Sequence, residues 1–520
     1  MIRSNYRTGR GRRQLARRVV QSYHQPPPVK GWNARDSLPN MQSDEASILD
    51  NMIAERAQVK TRGGSAAHAT GLPGAVETLM TWNGPTASKM FAASVAAIYE
   101  VTSAGSIGSA EISSLTNAHW QYANFSISSG DYISLVNGAD SARLYDGTTW
   151  TTPTFTGVTS STLVNVNVFK NMLFYIEKDS LSFWYFPVET VSGAITEFDL
   201  GPRCTLGGYL MAGASWTYDG GNGPDDYAVF ITSEGELIVY SGTDPDSADT
   251  WAHTGTFKLG APLGRRCFLS VGSELVILTQ DGFVGMGQLL RVGRSRNDKA
   301  YSDMISGAVK DAVRDWKANF GWQAVFYPLG NLVLVNIPIS ENGLSYQFVR
   351  NTRNGAWSRF TDWDASCWGI LNDELYFGND TVVDKADTTL ADKGTDIDID
   401  ARCAFTALRR PGKRKQLSMV GPMFGSSGTI NLKFNVNRDY GSQAPENVVA
   451  STITVSSGGA VWDVATWDVA DWAGGSTAIK YWHGAEGDCE AAAFRLQASS
   501  QETLEWTGTD YLFEEGASFP

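Results

Sequence analysis

The chain has 520 residues, of which 42% are hydrophobic and 19% are charged, so it has enough apolar content for a large core and too much for a disordered protein. Its net charge is −13, and no apolar run approaches the ~18–20 residues that a membrane helix needs, so we expect no membrane span. The five cysteines are widely spaced without a CxxC pair, which argues against a disulfide framework or a zinc site and favours assembly in a reducing compartment.

Residues 1–30 are predicted to form a basic extended arm. They carry eight basic side chains and no acidic one, so the rest of the chain carries −13 − 8 = −21. The triple proline Pro26–Pro28 is typical of a stiff spacer. We expect the arm to order against an acidic protein surface, with nucleic acid as the rival partner and a merely solvated extension as the alternative. Seven arginines are its candidate assembly contacts: Arg3, Arg7, Arg10, Arg12, Arg13, Arg17 and Arg18.

Residues 31–75 are predicted to be an N-terminal segment that contains a short helix and packs on the C-terminal domain. Ser43 can cap the helix, and Ile48, Leu49, Met52 and Ile53 follow at a spacing of three to four residues. The Gly-, Ala- and Thr-rich stretch 59–75 indicates a loop.

Residues 76–395 are predicted to form a β-propeller of about six blades. Apolar and aromatic hairpins recur about every 40–50 residues, which is typical of blades; a sandwich of unrelated hairpins is the alternative. Tight-turn dipeptides such as Asn137-Gly138 and Asp281-Gly282 separate the strands of these hairpins. The hairpins begin at or near Met90, Tyr132, Met172, Tyr227, Glu274, Asn331 and Glu374.

One helix interrupts the strands. Residues 302–320 place Ile305, Val309, Val313 and Trp316 near helical spacing. We expect this helix to pack between blades, although a contact surface is the alternative.

Residues 396–520 are predicted to be a separate all-β domain, resembling a sandwich or barrel. Alternating acidic residues over Asp396–Asp400 indicate a strand with one solvent-exposed face. A calcium-binding loop is not expected here, because its Gly and its terminal Glu are missing. The basic residues Arg409, Arg410 and Arg414 are candidate assembly contacts. Trp462, Trp467 and Trp472 recur every five residues and predict an extended ribbon that lies on the domain's own core or on a partner.

Catalytic patterns are missing from the sequence. There is no phosphate-binding loop, GxSxG turn, dinucleotide fingerprint or paired-histidine metal motif. The nearest matches to sialidase boxes, at Asp146-Gly147 and Asn354-Gly355, lack the required spacing. We therefore expect no enzymatic activity, no catalytic residues, no metal and no cofactor.

Four segments resemble the tail nozzle proteins of short-tailed bacteriophages (podoviruses), which are also called tail tubular protein B-like or tail hub proteins. They are Gly31–Asp36 with Ile48–Asn51, Lys89–Thr102, Tyr346–Phe360 with Leu375–Gly378, and Leu504–Gly516. The most specific residues of the motif are Asn351, Thr352, Gly355, Ala356, Trp357, Tyr376 and Gly378. Ser94-Val95-Ala96 departs from the family's glycine-containing turn, and the arm lies outside the resemblance.

The resemblance implies a structural virion protein that is assembled in the host bacterial cytoplasm. It implies a homohexamer that hangs from the tail adaptor ring and portal, forms the distal channel for viral DNA, and carries attachment points for tail fibres or spikes. Trp32, which lies in the first matched segment, is a further candidate interface residue. A receptor- or glycan-binding propeller of a tail and, last, a depolymerase are the alternatives.

Overall fold

The computed structural model describes residues 19–219, 224–292, 300–426, 428–445, 451–454 and 479–515. Strands make up most of its regular structure, which confirms the predicted all-β fold. The α-helices are Met286–Val292 and Ser306–Trp316. Single 3-10 turns lie at Leu38–Asn40, Ser160–Thr162, Gly201–Arg203 and Asp303–Ile305. No helix in these ranges is long and apolar enough to cross a membrane.

A closed ring of seven small sheets forms a β-propeller. The first strand of each sheet contacts the first strand of the next, and the first strand of the seventh sheet contacts that of the first. All seven predicted hairpins are present, each as the second and third strands of its sheet. The propeller is therefore confirmed, but it has seven blades in the described chain rather than about six. The seven hairpins recognised in the sequence correspond one to one to these blades, so the expected number of about six was too low.

Each blade consists of three to five strands. In blades one to six the strands follow one another along the chain from the inner strand outwards, whereas the two outer strands of blade seven come from earlier in the chain. Blades one to three are Val76–Asn83, Ser88–Ser94, Ala97–Glu100; Gln121–Ile127, Gly130–Val136, Arg143–Tyr145, Trp150–Thr151; and Leu163–Phe169, Met172–Glu177, Ser182–Tyr185, Thr196–Asp199. Blades four and five are Leu210–Asp219, Pro224–Thr232, Glu236–Gly242, Trp251–Lys258; and Phe268–Val271, Glu274–Thr279, Gly282–Gly285. Blades six and seven are Gln323–Tyr327, Leu332–Pro338, Ser345–Asn351, Trp357–Phe360; and Cys367–Leu371, Glu374–Asn379, Val382–Ala386, Ser65–Thr70, Gly105–Ser106. A small parallel pair, Phe155–Thr156 with Gly193–Ala194, lies beside blade three.

The N-terminal segment supplies a strand that closes the ring. Ser65–Thr70 runs antiparallel to Val382–Ala386, so the seventh blade combines residues from both ends of the propeller sequence. A loop was predicted over residues 59–75, and the propeller was predicted to begin at residue 76. Small residues with weak propensity form a strand here because the open edge of the seventh blade supplies hydrogen-bond partners.

The helix predicted after Ser43 is wrong, because the same residues form the strands Ala46–Asp50 and Met52–Ala54. Asn51 between them has a φ of 56°, which interrupts a regular backbone. Ala46–Asp50 lies between Ile397–Cys403 and Trp357–Phe360, and these neighbours supply hydrogen bonds that a lone helix would have made internally. Tertiary pairing thus overrides the local helical spacing.

Two further sheets form the terminal domain. One continues from blade six through Ala46–Asp50 into Ile397–Cys403, Ala492–Ser500, Thr429–Arg438 and Ser451–Thr454. The other contains Met52–Ala54, Val59–Thr61, Leu504–Glu515, Lys415–Ser426, Ile479–Lys480, His483–Cys489 and Val20–Gln25. The sheets pack face to face through Phe424, Phe494 and Trp506, whose ring centroids lie 5.4–6.5 Å apart. The terminal domain is a β-sandwich whose first sheet is continuous with the propeller.

The described part of the basic arm belongs to this sandwich. Val20–Gln25 pairs antiparallel with residues 509–514, and the Tyr511 hydroxyl donates a buried 2.9 Å hydrogen bond to Gln25 Oε1. Residues 19–30 are therefore part of the subunit's own fold, although the whole arm was predicted to order only against another surface. Residues 1–18 lie outside the described residues.

The predicted helix is present as Ser306–Trp316. Its buried residues Val309, Ala312 and Val313 face blades five and six, so it is a packing element as predicted. Trp322 Nε1 donates a 3.0 Å hydrogen bond to the Trp316 carbonyl and satisfies one of the free carbonyls at the helix end.

Candidate functional site

An axial cavity of about 210 Å³ lies where six of the seven inner strands begin. Its polar lining includes Thr78, Gln121, Asn165, Arg265, Arg266 and Gln323. Blades one to six each contribute to this lining, so the ring closure itself brings these residues together. Separations of up to 245 residues along the chain hide this cluster from any local motif search.

Arg266 is the central side chain of the cavity. Its guanidinium donates to the Glu77 carbonyl at 3.1 Å, to Thr78 Oγ1 at 2.6 Å and to the Trp120 carbonyl at 3.2 Å, and it approaches Gln323 Oε1 at 3.4 Å. The guanidinium carbon also lies 5.2 Å from the centre of the Phe320 ring. Arg266 thus joins blades one, two and six.

Arg265 makes fewer contacts than its neighbour. Its Nη1 donates a 3.2 Å hydrogen bond to the Met211 carbonyl of blade four. Burial lowers the pKa of both guanidinium groups below the ordinary value for arginine.

The Glu77 carboxylate interacts electrostatically with Arg266, but its hydrogen bonds are made outside the cavity. Glu77 lies 3.1 Å from His119 Nε2 and accepts a 2.7 Å hydrogen bond from Asn342 Nδ2. Burial opposes its ionisation, but these hydrogen bonds outweigh burial and lower the pKa of Glu77. No carboxylate within the described residues lines the cavity.

The motif residues 351–357 fasten the N-terminal segment to blade six. Trp32 N–H donates a 2.7 Å hydrogen bond to the Trp357 carbonyl, and the side-chain amides of Asn351 and Asn354 each donate a 3.0 Å hydrogen bond to the Ala54 carbonyl. Gly355 has a φ of 76°, a conformation that favours glycine in this turn. Thr352 N–H and Oγ1 donate to the Asn331 carbonyl, while Ala356 and Trp357 are buried.

The two motif residues of blade seven act at ring closure. A Cβ on Gly378 would lie 2.7 Å from Val76 and 2.8 Å from Cys367 Sγ, so only glycine allows blades one and seven to approach this closely. Tyr376 is buried, and its hydroxyl donates a 3.0 Å hydrogen bond to Glu374.

Trp32, a candidate interface residue, is buried within the subunit, with 9% of its surface exposed. Its ring centroid lies 5.5 Å from that of Phe348. Trp32 also lines a cleft of about 450 Å³ together with Trp316, Tyr346 and Arg359.

The basic cluster of the sandwich lies beside the described part of the arm. Arg409 lies 5.7 Å from the ring centre of Tyr23, Arg410 pairs with Glu515 at 3.2 Å, and Arg414 lies 3.9 Å from Asp439. These exposed pairs are each worth less than about 1 kcal/mol, so the cluster remains available for contacts outside the subunit. The remaining interface candidates fall outside the described residues: Arg3, Arg7, Arg10, Arg12, Arg13, Arg17, Arg18, Trp462, Trp467 and Trp472.

A second and larger cavity, the junction groove, lies between blades six and seven and the N-terminal segment. Its volume is about 1170 Å³, and Leu329 and Leu390 on its rim are 67% and 45% exposed. Arg56 and Arg353 add exposed positive charge to the same groove.

One buried residue of this junction was missed by the sequence analysis. Arg62 has no exposed side-chain surface and forms a bidentate ion pair with Asp392, with N–O distances of 3.0 and 2.6 Å. The two glycines that follow it, Gly63 and Gly64, were the available signal, because they allow the chain to pass close to Asp387 and Ala391.

The described residues contain no group of three or more His, Cys, Asp or Glu side chains able to hold a metal ion. The five cysteines are free thiols, and four of them are buried.

Comparisons with known proteins assign no family. No protein-family model matches the chain, and no curated protein matches it. Among solved structures, a chain of a "Crystal Structure of Mitotic Checkpoint Complex" is similar with 11% identity and a TM-score of 0.35, over 57% of this chain and 85% of that chain. A similarity at that score carries no argument, and the propeller assignment depends on the strand pairing described above.

Proposed function

We propose that this chain is a subunit of a tail nozzle, the six-fold ring that forms the distal DNA-exit channel of a short phage tail. One observation carries the proposal: the first and third segments of the nozzle resemblance, which lie about 300 residues apart in sequence, meet at one junction. Trp32 N–H donates to the Trp357 carbonyl at 2.7 Å, and Asn51 N–H donates to the Arg359 carbonyl at 2.8 Å. Two matched segments are thus joined by backbone hydrogen bonds in the fold.

The junction suits a ring subunit for a mechanical reason. A continuous sheet, backbone hydrogen bonds and the Arg62–Asp392 pair hold the propeller and the sandwich in one orientation. Six copies can close a ring only if each presents its two contact faces at the same angle. The acidic composition also suits a DNA conduit, because a wall that repels phosphates does not retain DNA.

The junction groove is the proposed contact with a neighbouring copy. Its exposed Leu329 and Leu390 would be covered in a ring, and its Arg56 and Arg353 complement a body that carries −21 outside the arm. The tail adaptor ring and fibres or spikes are the other proposed partners, with the arm and the 409–414 cluster directed towards the adaptor.

Mass measurement tests the proposal directly. Full-length protein, alone or with its adaptor, should form a species of six 56.4 kDa chains, about 340 kDa, visible as a ring by electron microscopy. Leu329→Asp with Leu390→Asp should prevent the ring, whereas Leu344→Asp, at an equally exposed site outside the groove, should not. A monomer that binds no adaptor at micromolar concentration would refute the nozzle assignment.

Deletion of residues 1–18 tests the role of the arm. The deletion leaves Val20–Gln25 and its pairing intact, so the truncated subunit should fold. We expect it to fail to incorporate into tails. Normal incorporation with altered DNA retention or ejection would favour nucleic acid as the arm's partner.

The cleft lined by Trp32 favours the alternative, a receptor- or glycan-binding tail propeller. Trp316 and Tyr346 line it with ring centroids 5.7 Å apart, and Arg359 lies 5.9 Å from the Tyr346 ring. Aromatic faces beside charged groups are suited to binding sugars. Binding of host glycans that is lost in Trp316→Ala, without ring formation by the wild type, would favour this alternative.

A further inference from the structure

The axial cavity has a charge that differs from that of the protein around it. Two arginines line it, no described carboxylate does, and the whole chain carries −13. Buried charges in proteins are normally paired, because desolvation of an isolated charge is costly. The carboxylates that interact with these arginines, Asp179 for Arg265 and Glu77 for Arg266, lie outside the lining, so the cavity itself has room for an anionic group.

The hydrogen bonds of Arg266 do not go to a carboxylate. Its acceptors are two carbonyls, one hydroxyl and one side-chain amide, all of them neutral. They hold the guanidinium in place across three blades, and the Glu77 carboxylate acts on it from outside the cavity lining. Arg266 is thus a fixed cation at the edge of the cavity.

Arg265 and Asn165 provide free donors next to it. Of the five N–H groups of Arg265, the described contacts occupy one, through Nη1 to the Met211 carbonyl. Asn165 Oδ1 accepts a 3.1 Å hydrogen bond from Gly213 N–H, which fixes the amide and leaves Nδ2 without an acceptor in the described structure. Both side chains line the cavity.

We infer that the axial cavity binds a small oxyanion, a phosphate or carboxylate group, with Arg265 and Asn165 as donors and Arg266 as the fixed positive charge. A planar guanidinium binds two oxygens of such a group at once. The cavity volume of about 210 Å³ is below the ~300–1,000 Å³ usual for drug-sized ligands, so the site suits a single phosphate or the acid group of a sugar with a few waters.

Calorimetry on the full-length protein tests this site. Inorganic phosphate and glucuronate are titrated separately at constant ionic strength in chloride, so that general salt effects cancel. At least one of them should bind with one site per chain. Phosphate binding alone indicates a phosphate ligand, and glucuronate binding alone indicates a carboxylate ligand.

Three variants locate the site. Arg265→Gln should weaken binding at least tenfold, whereas Arg314→Gln, on the exposed face of the helix Ser306–Trp316, should leave it unchanged. Asn165→Asp keeps the acceptor for Gly213 N–H and places a carboxylate beside the arginines. It should abolish oxyanion binding without lowering the melting temperature in chloride, because it places a negative charge inside the cavity beside the two arginines.

Two results of these titrations would contradict the proposed oxyanion site. If neither anion binds the wild type at about 10 mM, the inference is wrong. Unchanged binding in Asn165→Asp would also overturn it. Because this second outcome does not depend on Arg265→Gln, the test remains decisive even if that variant fails to fold. Ring assembly is measured independently, so a failed nozzle assignment and a failed oxyanion site are distinguishable.

Discussion

Replacement of Arg62 by Met should destabilise the junction between the propeller and the N-terminal segment. The side chain is fully buried, and its Nε donates to Asn51 Oδ1 at 2.9 Å while its Nη atoms pair with Asp392. Its guanidinium carbon also lies 4.5 Å from the Trp363 ring centre. Removing one partner of a buried ion pair costs about 3–5 kcal/mol, because the other charge stays buried without its partner.

In Arg62→Met, Asp392 keeps two of its hydrogen-bond donors, and they reduce the expected loss of stability. Trp363 Nε1 at 2.9 Å and Ser65 Oγ at 3.2 Å still donate to it, so we expect about 3 kcal/mol, the lower end of that range. At about 1.4 kcal/mol per factor of ten, the local opening equilibrium should rise roughly 10²-fold. Hydrogen exchange of peptides that cover residues 46–62 measures this opening.

Lys60→Met is the matched control for this measurement. Lys60 lies two residues away and pairs with Glu55 at 2.7 Å, but both side chains are more than one-third exposed. An exposed pair is worth less than about 1 kcal/mol, so exchange should change less than about tenfold. Equal exchange rates in Arg62→Met and Lys60→Met would refute the reasoning. In addition, Asp392→Asn should partly rescue Arg62→Met, because it removes the unpaired charge.

Two further predictions concern ring closure and the arm. Gly378→Ala should lower stability by about 1–3 kcal/mol in urea denaturation, because the new methyl group overlaps Val76; Gly108→Ala, in open space, should not. Burial raises the pKa of Asp510, but hydrogen bonds from Lys480 and His24 outweigh it and hold the pKa below its usual range. The stabilisation by Asp510 is therefore complete above about pH 4 and is lost as pH falls through the lowered pKa. The protection factor of the Val20–Gln25 amides, which compares each exchange rate with the intrinsic rate at the same pH, should fall on acidification in the wild type but not in Asp510→Asn. A protection factor that is independent of pH in the wild type would contradict this.

Hairpins were the most predictable part of the fold. Alternating apolar residues with a tight turn specify a local pair of strands, so all seven hairpins were found from sequence. The helix Ser306–Trp316 was predictable for the same reason, since its apolar stripe repeats every three to four residues.

Pairing between strands that are distant in sequence determined the parts of the fold that local patterns did not predict. The stripe Ile48, Leu49, Met52 fits a helix equally well, and pairing with neighbouring strands such as Ile397–Cys403 makes the segment extended. The strand Ser65–Thr70 has little propensity of its own and forms because blade seven is incomplete without it.

The sequence by itself determined the all-β class, the recurring hairpins and the acidic charge, because these depend on composition and on contacts between near neighbours. Only the tertiary structure decided that there are seven blades in the described chain, and that Arg265 and Arg266 enter a cavity lined by six of them. The reason is that closing the ring brings together residues up to hundreds of positions apart. Their charge and hydrogen-bond partners are fixed by packing across blades, which no local pattern encodes.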